Sequence, residues 1–97
     1  MGEDGNMFNV YVLKSSKTRK SYVGFTEKNI KERLIEHNNG LCRWTKGHRP
    51  FKLIYYESYF CKKDALLREK FLKSGVGSRI IQAIIKEFDN TERSSDG

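Results

Sequence analysis

"FNVYVLKSSKTRKSYVGFTEKNIKERLIEHNNG" (Phe8–Gly40) changes its apolar period partway along. Phe8, Val10 and Val12 alternate with Asn9, Tyr11 and Leu13, the two-residue period of a strand. "SSKTRK" carries no apolar side chain and "SYVGF" is strand-like again, so residues 8–25 read as a hairpin. A turn centred between Ser16 and Lys17 sets Tyr11 directly opposite Tyr22. Slipping the register by two keeps them on one face as diagonal neighbours, whereas slipping by one separates them. After Phe25 the period lengthens. Ile30, Arg33, Leu34 and His37 follow helical i, i+3, i+4, i+7 spacing. Thr26 offers a cap for a helix over about 27–39, which Asn39-Gly40 would end. Two polar, basic residues among four stripe positions are unusual for a plain core face. They suggest that Tyr22, Gly24, Arg33 and His37 converge on one point, where a phosphate would sit.

Residues 41–50 read as an irregular basic segment, and "FKLIYYESYF" (51–60) as a third and central strand. "KKDALLREKFLKSG" predicts a second helix with Ala65, Leu66, Leu67, Phe71 and Leu72, closing at Gly75. Gly77-Ser78 opens a third helix carrying Ile80, Ile81, Ala83, Ile84, Ile85 and Phe88. The order β-β-α-β-α-α, without repeats, predicts a small α/β sandwich with helices packed on a three-stranded, mostly antiparallel sheet. At 97 residues there is room for one core. It is placed at 8–88, between an arm over 1–7, disordered or left from expression, and a polar, fraying tail over 89–97.

Charge is concentrated in that core. Setting aside Glu3, Asp4, Asp89, Glu92, Asp96 and Arg93 leaves 18 basic and 7 acidic side chains in residues 7–88, net +11. A unit so positive repels itself, and a polyanionic partner explains the composition better than a membrane surface does. No apolar run approaches the roughly 18 residues of a membrane span, and the acidic start does not resemble a signal peptide. Cys42 and Cys61 stand 19 residues apart without a second pair, which is neither a zinc signature nor a disulfide framework. Both are expected to pack inside, in a reducing cytoplasm.

The motifs taken together resemble the GIY-YIG nuclease superfamily. Val10-Tyr11-Val12 stands for its first half-motif, with Val in place of Gly, and Tyr22-Val23-Gly24 for its second. Arg33, His37-Asn38, Pro50 and Glu69 within "ALLRE" follow in the family's order. "WTKGHRPFKL" and "FLKSGVG" are similar to the small stand-alone bacterial members. The stretch from "YVGFT" to His37-Asn38 and Gly40 also resembles the nuclease domain of structure-selective junction endonucleases. The likeness spans about residues 8–88. It implies hydrolysis of phosphodiester bonds, with DNA favoured over RNA, at a site holding one Mg²⁺ or Mn²⁺.

Each residue has chemistry suited to that task. Arg33 supplies a planar fork for a phosphate, and Glu69 a hard oxygen for the metal, whose other positions water and phosphate would fill. Tyr11 and Tyr22 offer hydroxyls; a phenol titrates near about 10, so a base role needs a neighbouring cation or metal. His37, one turn from Arg33, can relay a proton or hold a tyrosine hydroxyl. Gly24 lets backbone approach the site, where a side chain would intrude. Plainer roles fit too: Arg33 paired with Glu36 or Glu32, Glu69 paired with Lys62 or Lys73, and His37 serving the end carbonyls of its helix. Arg43, Trp44, Lys46, Arg49 and Lys52 are the expected nucleic-acid contacts, with Trp44 or Phe51 either stacking on a base or packing inside. Two functions emerge: an endonuclease for branched or distorted DNA, or a binding module of the same fold that cleaves little and needs a protein partner for targeting.

Overall fold

The computed structural model describes residues 7–43 and 45–94. The expected arm, apart from Met7, and the expected contact Trp44 lie outside them. Strands β1 (Phe8–Ser15) and β2 (Ser21–Thr26) form the hairpin, followed by helix α1 (Ile30–Asn38) and a short 3₁₀ turn at Lys46–His48. Then come β3 (Phe51–Tyr59), α2 (Lys62–Leu72) and α3 (Gly75–Ser94). The sheet order is β2-β1-β3 with both pairings antiparallel, so the architecture is the expected α/β sandwich. The central strand, however, is β1 and not β3. Val10, Tyr11, Val12 and Leu13 are at most 1% exposed, whereas β3 lies at an edge and leaves Tyr56 55% exposed. The long aromatic run of β3 marks an amphipathic edge rather than a strand enclosed on both sides.

Alternation along β1 makes two cores. Val10 and Val12 pack with Val23, Ala65, Leu72 and Ile81 on the face covered by α2 and α3. Tyr11 and Leu13 pack with Phe51, Tyr22, Leu34 and Leu53 on the face beneath α1. Tyr11 pairs with Tyr56, but after a bulge at Val12/Leu13 the partner of Leu13 is Leu53. The extra residue, Ile54, changes the parity of β3, so Leu53 and Phe51 turn toward α1 on the same face as Tyr11. Phe51 is 4% exposed and belongs to this core, which excludes it as a stacking platform for a base.

Helix ends differ from the sequence expectation for local reasons. Thr26 is the last residue of β2, paired with Asn9, and its hydroxyl accepts the Lys28 N–H at 2.9 Å. The cap of α1 is Asn29, whose Oδ1 accepts from Lys31 N at 2.8 Å. At the other end Gly40 has φ 79°, and the Gly40 and Leu41 N–H groups donate to the His37 and Glu36 carbonyls. That left-handed closure is the reason for the Asn-Gly pair. Helix α2 stops at Leu72, before Gly75. Ser74 then caps α3, its hydroxyl accepting the Gly77 N–H at 3.2 Å. Helix α3 continues to Ser94, past the apolar pattern ending at Phe88, so residues 89–94 of the expected tail are helical and 95–97 lie outside the described residues. Cys61 stands at the N-cap position of α2 without a side-chain capping bond and is exposed, contrary to the packing role expected of it.

Candidate active site

The hairpin register is the two-residue slip: Tyr11 opposes Gly24, and Leu13 opposes Tyr22. Tyr11 and Tyr22 are therefore diagonal neighbours on one face, with ring centroids 6.3 Å apart. The Tyr11 ring crosses its partner strand where Gly24 leaves room. A β-carbon on Gly24 would press against the Tyr11 hydroxyl, 2.5 Å from Tyr11 Cζ and 2.8 Å from Tyr22 Cε2. Any side chain at 24 would displace both phenols.

Helix α1 lays its basic stripe over these rings. His37 is fully buried, with its ring centroid 5.8 Å from that of Tyr11 and 5.1 Å from that of Tyr22. Its Nε2 lies 2.9 Å from the Tyr11 hydroxyl, and its Nδ1 lies 2.7 Å from Thr45 Oγ1. Arg33 Nε donates to the Tyr11 hydroxyl at 3.2 Å, while its Nη1 donates to Glu36 Oε1 at 2.7 Å. Glu36 also accepts from Lys28 Nζ at 2.6 Å. The expected pairing of Arg33 with Glu36 and its approach to the tyrosines thus occur together: the carboxylate aims the guanidinium.

Glu69 arrives from α2. Its Oε2 accepts from Lys73 Nζ at 3.1 Å, and that ammonium stands 5.8 Å from the Tyr22 ring centroid. The structure therefore brings Tyr11, Tyr22, Gly24, Arg33 and His37 together on the α1 face, and the charge of Glu69 on α2 is felt by both phenols. Glu36, Lys73 and Thr45 join them there. Glu36 was visible in the sequence only as a possible ion-pair partner, and Lys73 only as a partner for Glu69. Thr45, within "WTKGHRPFKL", shows no role in the sequence alone.

Burial dominates the electrostatics. It raises the Tyr11 phenol, against the hydrogen bond and charge of Arg33. It also pushes Tyr22 up to about 12, with Tyr11 and the Glu69 charge adding to the rise. Desolvation, followed by the charge of Arg33, lowers His37 to about 4, so the imidazole is neutral at physiological pH. For Arg33 burial works the other way, yet its bonds to Glu36 and Tyr11 hold it above its ordinary value. Around the Tyr11 hydroxyl, then, a fixed cation aimed by Glu36 stands beside a neutral phenol and a neutral imidazole.

The expected nucleic-acid contacts divide. Arg43, Lys46 and Arg49 line one depression with Lys17, Asn38 and Pro50. Lys52 lines the neighbouring one with Lys14, Lys17 and Arg19. Lys17 belongs to both, so the 41–50 segment and the hairpin loop form one basic band. Arg49 is partly committed, since its Nε donates to the Lys46 carbonyl at 2.9 Å.

Among the described residues no helix is long and apolar enough to cross a membrane. The sequence profile of the GIY-YIG catalytic domain matches residues 7–81. The chain is 37% identical over 76 residues to a UPF0213 protein of Clostridium perfringens, covering 77% of this chain and 80% of the relative. A UPF0213 protein of Staphylococcus saprophyticus is 39% identical over 66 residues, 67% of this chain and 78% of its own length. One of Staphylococcus aureus is 35% identical over 79 residues, 80% of this chain and 93% of that protein. No solved structure matches the chain. With the profile covering both tyrosine half-motifs, Arg33, His37 and Glu69, the chain belongs to the GIY-YIG catalytic-domain family.

Proposed function

We propose that the chain is a divalent-metal-dependent endonuclease that hydrolyses phosphodiester bonds in branched or distorted DNA, in the cytoplasm. The observation that carries the reading is the Tyr11 hydroxyl, held between a fixed cation at 3.2 Å and an imidazole nitrogen at 2.9 Å. A core tyrosine needs one polar partner. This one has a donor on one side and a proton acceptor on the other.

In the proposed reaction Tyr11 takes a proton from the attacking water as its own proton passes to His37 Nε2. Neither group need be ionised beforehand, which suits a raised phenol and a lowered imidazole. The water oxygen bonds to phosphorus, the bond to the leaving oxygen breaks, and the released alkoxide collects a proton from solvent. Arg33 meets charge that grows on the phosphoryl oxygens, with its orientation already fixed by Glu36. Tyr22 lines the approach, and its hydroxyl has no partner among the described residues.

Among the described residues no group of three or more His, Cys, Asp or Glu could enclose a metal. Glu69 nevertheless fits a hard divalent ion. Its carboxylate is 20% exposed and, among the described residues, is tethered by the ion pair with Lys73, and such ions keep most of their shell as water and phosphate. When bound, one Mg²⁺ or Mn²⁺ supplies Lewis-acid stabilisation of phosphoryl charge.

The test is a nicking assay over linear, flap, fork and four-way DNA and matched RNAs, with and without Mg²⁺ or Mn²⁺. Metal-dependent nicking of branched DNA is expected. Binding without nicking of any substrate would instead make the chain a targeting module.

A further inference from the structure

Thr45 is 1% exposed, and its hydroxyl does not serve the backbone in the usual way. It precedes the 3₁₀ turn in the position where a threonine normally caps, yet makes no side-chain capping bond. Its Oγ1 instead lies 2.7 Å from His37 Nδ1 and donates to the Cys42 carbonyl at 3.3 Å.

Proton counting gives this contact a direction. A neutral imidazole has one N–H. If it sat on Nε2, the Tyr11 oxygen would receive two hydrogens, from His37 and from Arg33. The Tyr11 proton would then face no acceptor among the described residues, on a side chain only 1% exposed, and a buried donor left unpaired is destabilising. If it sits on Nδ1, every hydrogen is placed. Arg33 Nε–H donates to Tyr11, Tyr11 to His37 Nε2, His37 Nδ1–H to Thr45, and Thr45 to the Cys42 carbonyl.

We propose that Thr45 is a positioning residue: by accepting the Nδ1 hydrogen it fixes the His37 tautomer and leaves Nε2 open to receive the Tyr11 proton. The proposal rests on the endonuclease reading for its consequence, but its geometry stands apart from it. Thr45 lies between Arg43 and Lys46, so the segment expected to meet the substrate also fixes the proton acceptor.

The experiment is ¹⁵N NMR of the imidazole nitrogens in the full chain near pH 7. His37 and His48 are the two histidines, and a His48→Gln variant separates their signals. Wild type is expected to show His37 protonated at Nδ1 with a bare Nε2. Thr45→Val should move the proton to Nε2 and slow nicking by about tenfold to a hundredfold, the range for losing a partner that orients a functional histidine. Thr45→Ser should restore both tautomer and rate. A wild-type His37 protonated at Nε2 overturns the proposal, as does a Thr45→Val protein that keeps Nδ1–H and its rate. If Thr45→Val does not fold, the wild-type tautomer and the serine variant still decide. Nicking with the wrong tautomer sinks the positioning role alone; the right tautomer without nicking on any substrate sinks the endonuclease reading alone.

Discussion

The two faces of the sheet carry nearly the same side chains in opposite states. Beneath α2, Glu57 accepts from the Tyr55 and Tyr59 hydroxyls at 2.5 Å each, and from Arg68 Nε and Nη2 at 2.9 and 3.1 Å. Two tyrosines, an arginine and a carboxylate close on themselves there. Burial would raise Glu57, but Arg68 and the two phenols hold it below its ordinary value. Beneath α1 are again two tyrosines, an arginine and a glutamate. Here Glu36 takes only part of Arg33, and the phenol of Tyr11 points to a neutral base. The first cluster has every charge matched and is a brace between β3 and α2. The second leaves part of its cation and a proton path free of any carboxylate. Chemistry here depends less on residue types than on which of their bonds remain to be made.

The largest effect should separate the faces completely. Glu69→Ala is expected to remove about 4 kcal/mol of transition-state stabilisation, roughly 10³-fold in nicking, while folding and DNA binding persist. Normal turnover by that variant, measured with Mg²⁺ saturating, would take Glu69 out of the site.

Next come the two arginines. Arg33→Ala should cost about 3 kcal/mol in rate, the scale of a lost oxyanion donor. Arg68→Ala should leave nicking unchanged and lower unfolding stability by about 1–3 kcal/mol, because Glu57 loses its bidentate partner. The tyrosines should repeat the contrast within one face, with Tyr11→Phe slower than Tyr22→Phe. Equal losses for Arg33 and Arg68 would dissolve the distinction between site and brace.

A third effect depends on pH. The folded-state pKa of His37, about 4, lies below the roughly 6.5 of an unfolded chain. Between those values the unfolded chain binds the extra proton, so stability rises with pH across the window and is lost as pH falls through it. About 2–3 kcal/mol should disappear between pH 6.5 and 4, and His37→Gln should flatten that slope. Glu36 and Glu57 also lose stability on acidification, but as lowered carboxylates they do so mainly beneath this window. Denaturant curves at pH 7, 5.5 and 4 give the slope; a flat wild-type profile would mean that His37 is solvated.

Much of this was legible in the sequence because period and turn chemistry are local. The alternation of Phe8–Lys14, the helical spacing of Arg33 and His37 and the Asn39-Gly40 stop need no distant information. Strand order was not local. Nothing in "FKLIYYESYF" reveals that β1 takes the centre, because edge and centre differ in what lies alongside. The start of α1 was misplaced because Thr26 and Asn29 both accept a backbone N–H two residues on, and only tertiary pairing assigns Thr26 to the sheet. Thr45 escaped for a related reason. A threonine before a turn looks like a cap, and only the fold shows its hydroxyl turned to an imidazole eight residues back.

The smallest effect concerns the surface that neither cluster occupies. Arg43 and Lys46 are exposed, line one depression with Lys17, and flank the buried Thr45. If nucleic acid reaches Arg33 along this band, each cation that meets a phosphate releases about one counterion and steepens the dependence of log affinity on log salt by nearly one. Reversing Arg43 and Lys46 to Glu should therefore weaken DNA binding and flatten the slope by about two if both touch phosphates. The reversed protein should still fold, since both side chains lie outside the two cores. The same change at Lys62 and Lys63, on the exposed first turn of α2, should leave the slope nearly intact. Equal flattening by the two pairs would mean that net charge alone attracts DNA. Loss confined to Arg43 and Lys46 would trace the substrate across the segment that fixes His37.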